Sequence, residues 1–277
     1  DDGKYFNVYP FEGTEGQQLV IDLISDDFDA HLLLLTASDE VAVIAQDRYG
    51  GENANAQIVI VLPTAGSYSI AATSAQGQET GEYRLVVQTA ASSDLERAEL
   101  LKDAHRLNQQ VLQLLDEARY EEAMPLARQA LAIRETALGE FHPLVATSLN
   151  NLAILYSNQG NYSAAEPLYL RSLEIRETAL GESHPDVASS LNNLASLYQD
   201  RGNYSDAEPL FLRSLEIRET TLGQSHPDVA QSLNNLAGLY RTRGDYSEAE
   251  PLFLRSLDIW ETALGESHPD VASSLNN

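Results

Sequence analysis

The chain has 277 residues, 42 of them Asp or Glu against 17 Lys or Arg, for a formal net charge of -25. That balance repels a phosphate backbone over most of the surface and excludes nucleic acid as the expected partner. Cysteine is absent, which excludes disulfides, thiolate catalysis and cysteine-ligated metals, and no apolar run approaches the ~20 residues a membrane helix needs.

At roughly 100 to 200 residues per domain the length points to about two domains, and the pattern changes character once. Residues 5–88 read as short β-rich runs at 18–24, 31–36, 41–46, 57–62, 67–72 and 82–87, separated by Gly13, Gly16, Gly50, Gly51, Pro63, Gly66, Gly77 and Gly81. Regularly spaced runs of this kind predict an antiparallel β-sandwich. Polar and apolar residues alternate through Ser67–Ile70 and Glu82–Leu85, so Tyr68, Ile70, Tyr83 and Leu85 are expected to point inward. Asp26, Asp27 and Asp29, with Asp22 and Asp47 nearby, are hard oxygen donors of the kind calcium takes. Their spacing is not that of an EF-hand, and a solvated, charge-guarded strand edge is the favoured reading.

Residues 89–94 are small and polar, and beyond them helix formers dominate. The expected division is therefore 1–92 and 93–277, with Asp94 capping a helix over 95–118. From there the text repeats itself. His-Pro recurs at 142/143, 184/185, 226/227 and 268/269, a step of 42 residues, and Ser-Leu-Asn-Asn-Leu-Ala recurs at 148–153, 190–195 and 232–237. A degenerate copy at 107–139 has Ala118 where the others have glycine, and is expected to cap the array.

Each unit divides into two helices. Pro185 suits a first turn, Asp186 complements the helix dipole, and Gly202 ends the helix, which predicts helix A over 185–201. Asn203 then opens helix B, which runs to Leu222 before Gly223; Asn161 and Asp245 hold the same capping position. Leu191, Leu194, Ala195 and Tyr198 form one apolar stripe, and Ala207, Leu210, Phe211 and Leu215 form the facing one. One hairpin cannot bury both, so neighbours must stack into an α-solenoid of about four pairs plus a shortened fifth. That fifth unit leaves Val271 and Leu275 without a partner helix, so end-to-end association is expected there. Asp1 opens the chain without a start Met, and the N-terminus is expected to be trimmed.

Leu194–Tyr198, Gly202, Tyr204, Ala207 and Phe211 together resemble the tetratricopeptide repeat, over residues 95–277. The usual unit has ~34 residues; the 42-residue unit, with Leu-Asn-Asn-Leu-Ala and His-Pro-Asp in the lengthened connection, resembles the variant of kinesin light chains and many bacterial multidomain proteins. The resemblance implies a right-handed superhelix with a concave, protein-binding side. Residues 11–16, 25–34, 62–68 and 81–85 make the first 90 or so residues similar to the bacterial pre-peptidase C-terminal domain, which implies a β-sandwich and an extracytoplasmic or periplasmic setting. The turn at Ala37-Ser38-Asp39 departs from that family's pattern.

Ser183, His184 and Asp186 form a Ser-His-Pro-Asp string, but near-adjacent residues cannot adopt the geometry of a hydrolase triad. The string recurs with the repeat, as an interhelical connection does. No catalytic residue, metal or cofactor is therefore expected. Trp260 stands where other units have Arg134, Arg176 and Arg218, and is read as an inter-repeat contact. Asn150, Asn192 and Asn234 follow the buried leucines of helix A, with Asn151, Asn193 and Asn235 beside them. In the resembled family these positions face the groove, where a primary amide suits an extended peptide backbone. For the second of each pair, a tie between neighbouring helices is an equal reading. The functional expectation is a protein-interaction scaffold. The alternatives are the accessory part of a larger enzyme, such as a caspase-like peptidase with its catalytic domain beyond residue 277, or a calcium- or carbohydrate-binding module in the β domain.

Overall fold

The computed structural model describes residues 6–25, 30–36, 42–47, 55–74 and 82–265. Among them are seven strands: β1 Phe6–Gly13, β2 Gln18–Ile24, β3 Ala30–Thr36, β4 Val43–Asp47, β5 Ala56–Val61, β6 Gly66–Ser74 and β7 Arg84–Thr89. They form two antiparallel sheets, ordered β1-β6-β3-β4 and β5-β2-β7. Their inner faces meet in one core containing Ile21, Leu23, Leu32, Leu34, Tyr68 and Ile70, against which Tyr83 and Leu85 pack as the alternation predicts.

β1 is the strand that the sequence pattern misses. It contains Pro10, which cannot donate to a ladder and so argues against a strand. The exception is an edge, and β1 is the edge of its sheet, with Pro10 opposite Ser69 of β6. Gly13 closes this strand at a tight spot: a Cβ there would lie 2.3 Å from Leu62 Cδ1 and 3.0 Å from the Tyr68 ring. Both neighbours are almost fully buried.

Eight helices follow among the described residues: α1 Ser92–Asp116, α2 Tyr120–Leu138, α3 Pro143–Asn158, α4 Tyr162–Leu180, α5 Pro185–Asp200, α6 Tyr204–Leu222, α7 Pro227–Arg243 and α8 Tyr246–Leu264. They pair as repeated antiparallel hairpins in a solenoid. α1 starts earlier than expected. Ala91 is the N-cap, and Asp94, instead of preceding the helix, reaches back from its first turn to accept the Ala91 N–H at 2.9 Å. After α1, Ala118 takes the left-handed backbone of the lost glycine, with φ 56°, where Gly160, Gly202 and Gly244 have 73°, 79° and 90°.

The chain divides into two compact units, Asp1–Ser148 and Leu149–Asn277. In the second, the predicted stripes are buried: Leu191, Leu194 and Ala195 on α5, Ala207 and Phe211 on α6. The histidines before helices A are caps. His184 Nδ1 accepts from the Asp186 N–H at 3.0 Å and His226 Nδ1 from Asp228 at 3.1 Å; in the first unit His142 Nδ1 accepts from Leu144 at 3.1 Å.

Buried arginines join each helix B to the next helix A. Arg176 donates to the Asp186 carbonyl at 3.0 Å and Ser190 Oγ at 2.9 Å; Arg218 repeats this with the Asp228 carbonyl and Ser232. Arg134 makes the same bonds to the Leu144 carbonyl and Ser148 in the first unit, and burial pushes its guanidinium down to about 10. Trp260, at the position of these arginines in α8, is buried against Val229, Ala230 and Leu233 of α7, the helix A of its own hairpin, and against Ile259.

Candidate functional site

The repeated asparagines sit on the A helices: Asn150 and Asn151 on α3, Asn192 and Asn193 on α5, Asn234 and Asn235 on α7. The 42-residue period places the second amide of one repeat beside the first amide of the preceding one. Asn193 Nδ2 donates to Asn150 Oδ1 at 2.9 Å, and Asn235 Nδ2 donates to Asn192 Oδ1 at 2.8 Å. Gln231 Nε2 extends the chain by donating to Asn235 Oδ1 at 2.9 Å. Asn150, Asn151 and Asn192 are buried, whereas Asn193, Asn234 and Asn235 are partly exposed. The amides are thus a relay across repeats, each bond using one of the four an amide can make.

Beside this relay lies a cleft of about 200 Å³. α5 contributes Ser196, Gln199 and Asp200, α7 contributes Asn234, Asn235, Gly238 and Arg241, and Phe211 and Phe253 close it from α6 and α8. Partial burial holds the Asp200 carboxyl above the usual carboxylate range. Arg241 lies over the Phe253 ring with its guanidinium carbon 5.7 Å from the centroid, a cation–π arrangement. Gly238 leaves open space: a Cβ built there meets nothing within 4 Å.

The other cations at the ends of helices A are engaged elsewhere. Arg201 pairs with Glu166, which also accepts from Tyr198 OH at 3.0 Å. One repeat on, Arg243 pairs with Glu208, which accepts from Tyr240 OH at 2.9 Å. Burial and then the carboxylate partner raise both tyrosines above their ordinary range. Among the described residues, Arg241 is the one arginine on the cleft lining, which otherwise offers amides, two aromatic rings and the Asp200 carboxylate.

Sequence pattern missed Asp200 and Gly238. A signal was present: where the repeat text is otherwise near-identical, the position of Gly238 is Ile154 and Ser196 in earlier copies, and that of Asp200 is Asn158 and Thr242. Packing fixes the invariant positions and leaves such sites free to differ.

Asp26, Asp27 and Asp29 lie outside the described residues, as do Val271 and Leu275. Asp22 and Asp47 both bind Gln57, through its side-chain Nε2 at 2.6 Å and its backbone N–H at 2.8 Å. Among the described residues no cluster of three or more His, Asp or Glu is placed to hold a metal, and no helix is long and apolar enough to cross a membrane.

A family model described as tetratricopeptide repeat matches residues 107–178, 158–220, 186–262 and 228–277, more than half of the chain. Among solved structures, a Podosopora anserina protein with nearly identical TPR-like repeats, named as a kinesin light chain, is 27% identical; the match covers 61% of this chain and 81% of that one, with a TM-score of 0.52. BtubC (BKLC) from P. vanneervenii shares the fold at 22% identity, covering 68% of this chain and 82% of that one, with a TM-score of 0.53. The apo form of RapI shares it at 19% identity, 62% coverage of each chain and a TM-score of 0.51. No curated protein is significantly similar in sequence.

Proposed function

Since this chain belongs to the tetratricopeptide repeat family, whose members bind proteins or peptides, we propose that its second unit takes an extended segment of a protein partner along the A helices. The partly exposed Asn193, Asn234 and Asn235 would read the partner's main chain, while Asn150 and Asn192, buried beneath them, would set the orientation of Asn193 and Asn235 through the relay. The observation that carries this reading is the amide relay running beside a cleft whose floor is left open at Gly238. An amide both donates and accepts, so a ladder of them pairs with peptide N–H and C=O without demanding a particular side chain. Asp200 and Arg241, on opposite helices, would then select a segment carrying charge of both signs near its centre. In the Ser-His-Pro-Asp strings, His184 and His226 serve as helix caps.

The test uses the open space at Gly238. Gly238→Leu replaces a poor helix former with a good one and places a side chain in the cleft, where its Cβ meets nothing within 4 Å. With a partner recovered by pull-down and titrated against both proteins, the variant should bind at least tenfold more weakly while its melting temperature is unchanged or raised. Equal affinity in the two proteins would overturn the groove as the binding site.

A further inference from the structure

We propose that the first unit holds a second, separate binding site, for a small amphipathic carboxylate, in the cleft between the open edge of the sandwich and α1. The cleft has a volume of 680 Å³, within the 300 to 1,000 Å³ usual for small-ligand pockets. It is walled by Ile44 and Val59 from β4 and β5, by Ala98 and Leu101 from α1, and by Leu144 at the start of α3. These apolar walls would bury a hydrocarbon body.

Charge decides the other end of the ligand. In a chain of net charge -25, the lining of this cleft holds Arg97, Lys102 and Arg134 against the single carboxylate of Asp47. Arg134 is committed to the Leu144 carbonyl and Ser148 and forms wall rather than contact. Arg97 is positioned: its Nη2 donates to Gln57 Oε1 at 2.7 Å, and the Gln57 amide is itself held by Asp22 at 2.6 Å. Asp94 stands 3.8 Å from the same nitrogen. A guanidinium carries five N–H donors, so these contacts orient it and leave donors for an incoming carboxylate. Lys102 is 3.2 Å from Glu99, but both are about 70% exposed, and such a pair is weak enough to open. Lys102 is thus a second cation available at the rim. A phosphate would want more cations and less hydrocarbon wall, and a neutral lipid would make no use of the charge on Arg97; a carboxylate on an apolar chain meets both features.

The experiment is a calorimetric titration of the whole chain with decanoate and, in parallel, with decanol. One decanoate should bind per chain, and decanol at least tenfold more weakly. Arg97→Gln should weaken decanoate about tenfold and leave decanol unaffected. Leu101→Asp should abolish binding of both, and Ala98→Phe, which fills the cleft with an apolar ring, should do so as well if Leu101→Asp disturbs the fold. Absence of saturable binding, equal affinity for acid and alcohol, or wild-type affinity in the folded Ala98→Phe variant would each overturn the proposal.

Discussion

Removing the donors of the amide relay, by Asn193→Ala together with Asn235→Ala, gives a prediction whose size follows from burial. Each substitution strips a donor from an acceptor at the far end: Asn150 Oδ1 loses its bond from Asn193, and Asn192 Oδ1 its bond from Asn235. Asn150 is 8% exposed and Asn192 9% exposed, so water cannot readily replace the lost partner. A buried acceptor left unsatisfied costs about 1 to 3 kcal/mol, and the two bonds belong to different repeat interfaces, so the double variant should lose on the order of 2 to 6 kcal/mol. Asn192 and Asn193 adjoin, and the two single variants measure any coupling between them. Urea unfolding followed by helical circular dichroism reads the effect as a lower midpoint. If the double variant unfolds along the wild-type curve, the amides are solvated and the relay holds nothing.

Other consequences are independent of the relay. Gly13→Ala puts a methyl into the space of Leu62 and Tyr68 and should cost about 1 to 3 kcal/mol by overpacking, seen by calorimetry in the transition of the first unit and not in that of the second. Ala118→Gly relieves a left-handed alanine and should raise the stability of the first unit by up to about 1 kcal/mol; a fall would show that the turn is not strained. His184→Ala removes the Nδ1 cap of α5 and should cost about 0.5 to 2 kcal/mol, with His184→Asn recovering most of it in the same urea assay. Trp260, the chain's one tryptophan, is buried, so its native emission should lie to the blue of free tryptophan and shift red on unfolding; red native emission would contradict its packing against Val229 and Leu233.

Local chemistry made much of this architecture readable. Glycines and His-Pro pairs punctuate the helices, and α6 ends at Leu222 before Gly223 as expected because those signals act on their own neighbours. What escaped depends on partners far away in sequence. Pro10 speaks against a strand until β1 is known to be an edge, a fact of sheet order. The pairing of Asn193 with Asn150, 43 residues apart, is set by how the hairpins stack. Likewise Arg176 and Arg218 look like surface charges in the text, yet each is buried and bonded to a serine 14 residues on. Asp200 and Gly238 line one cleft only because α5 and α7 stand side by side.

Position-specific photocrosslinking locates a bound partner on the second unit. A photoreactive residue at Ser196, on the lining of the cleft, is compared with the same residue at Leu212, which lies exposed on α6 outside it. With partner bound, crosslinks should form from position 196, fade in the Gly238→Leu background, and be absent from position 212. Crosslinks from position 212 with none from 196 would contradict the account and move the interaction off the groove.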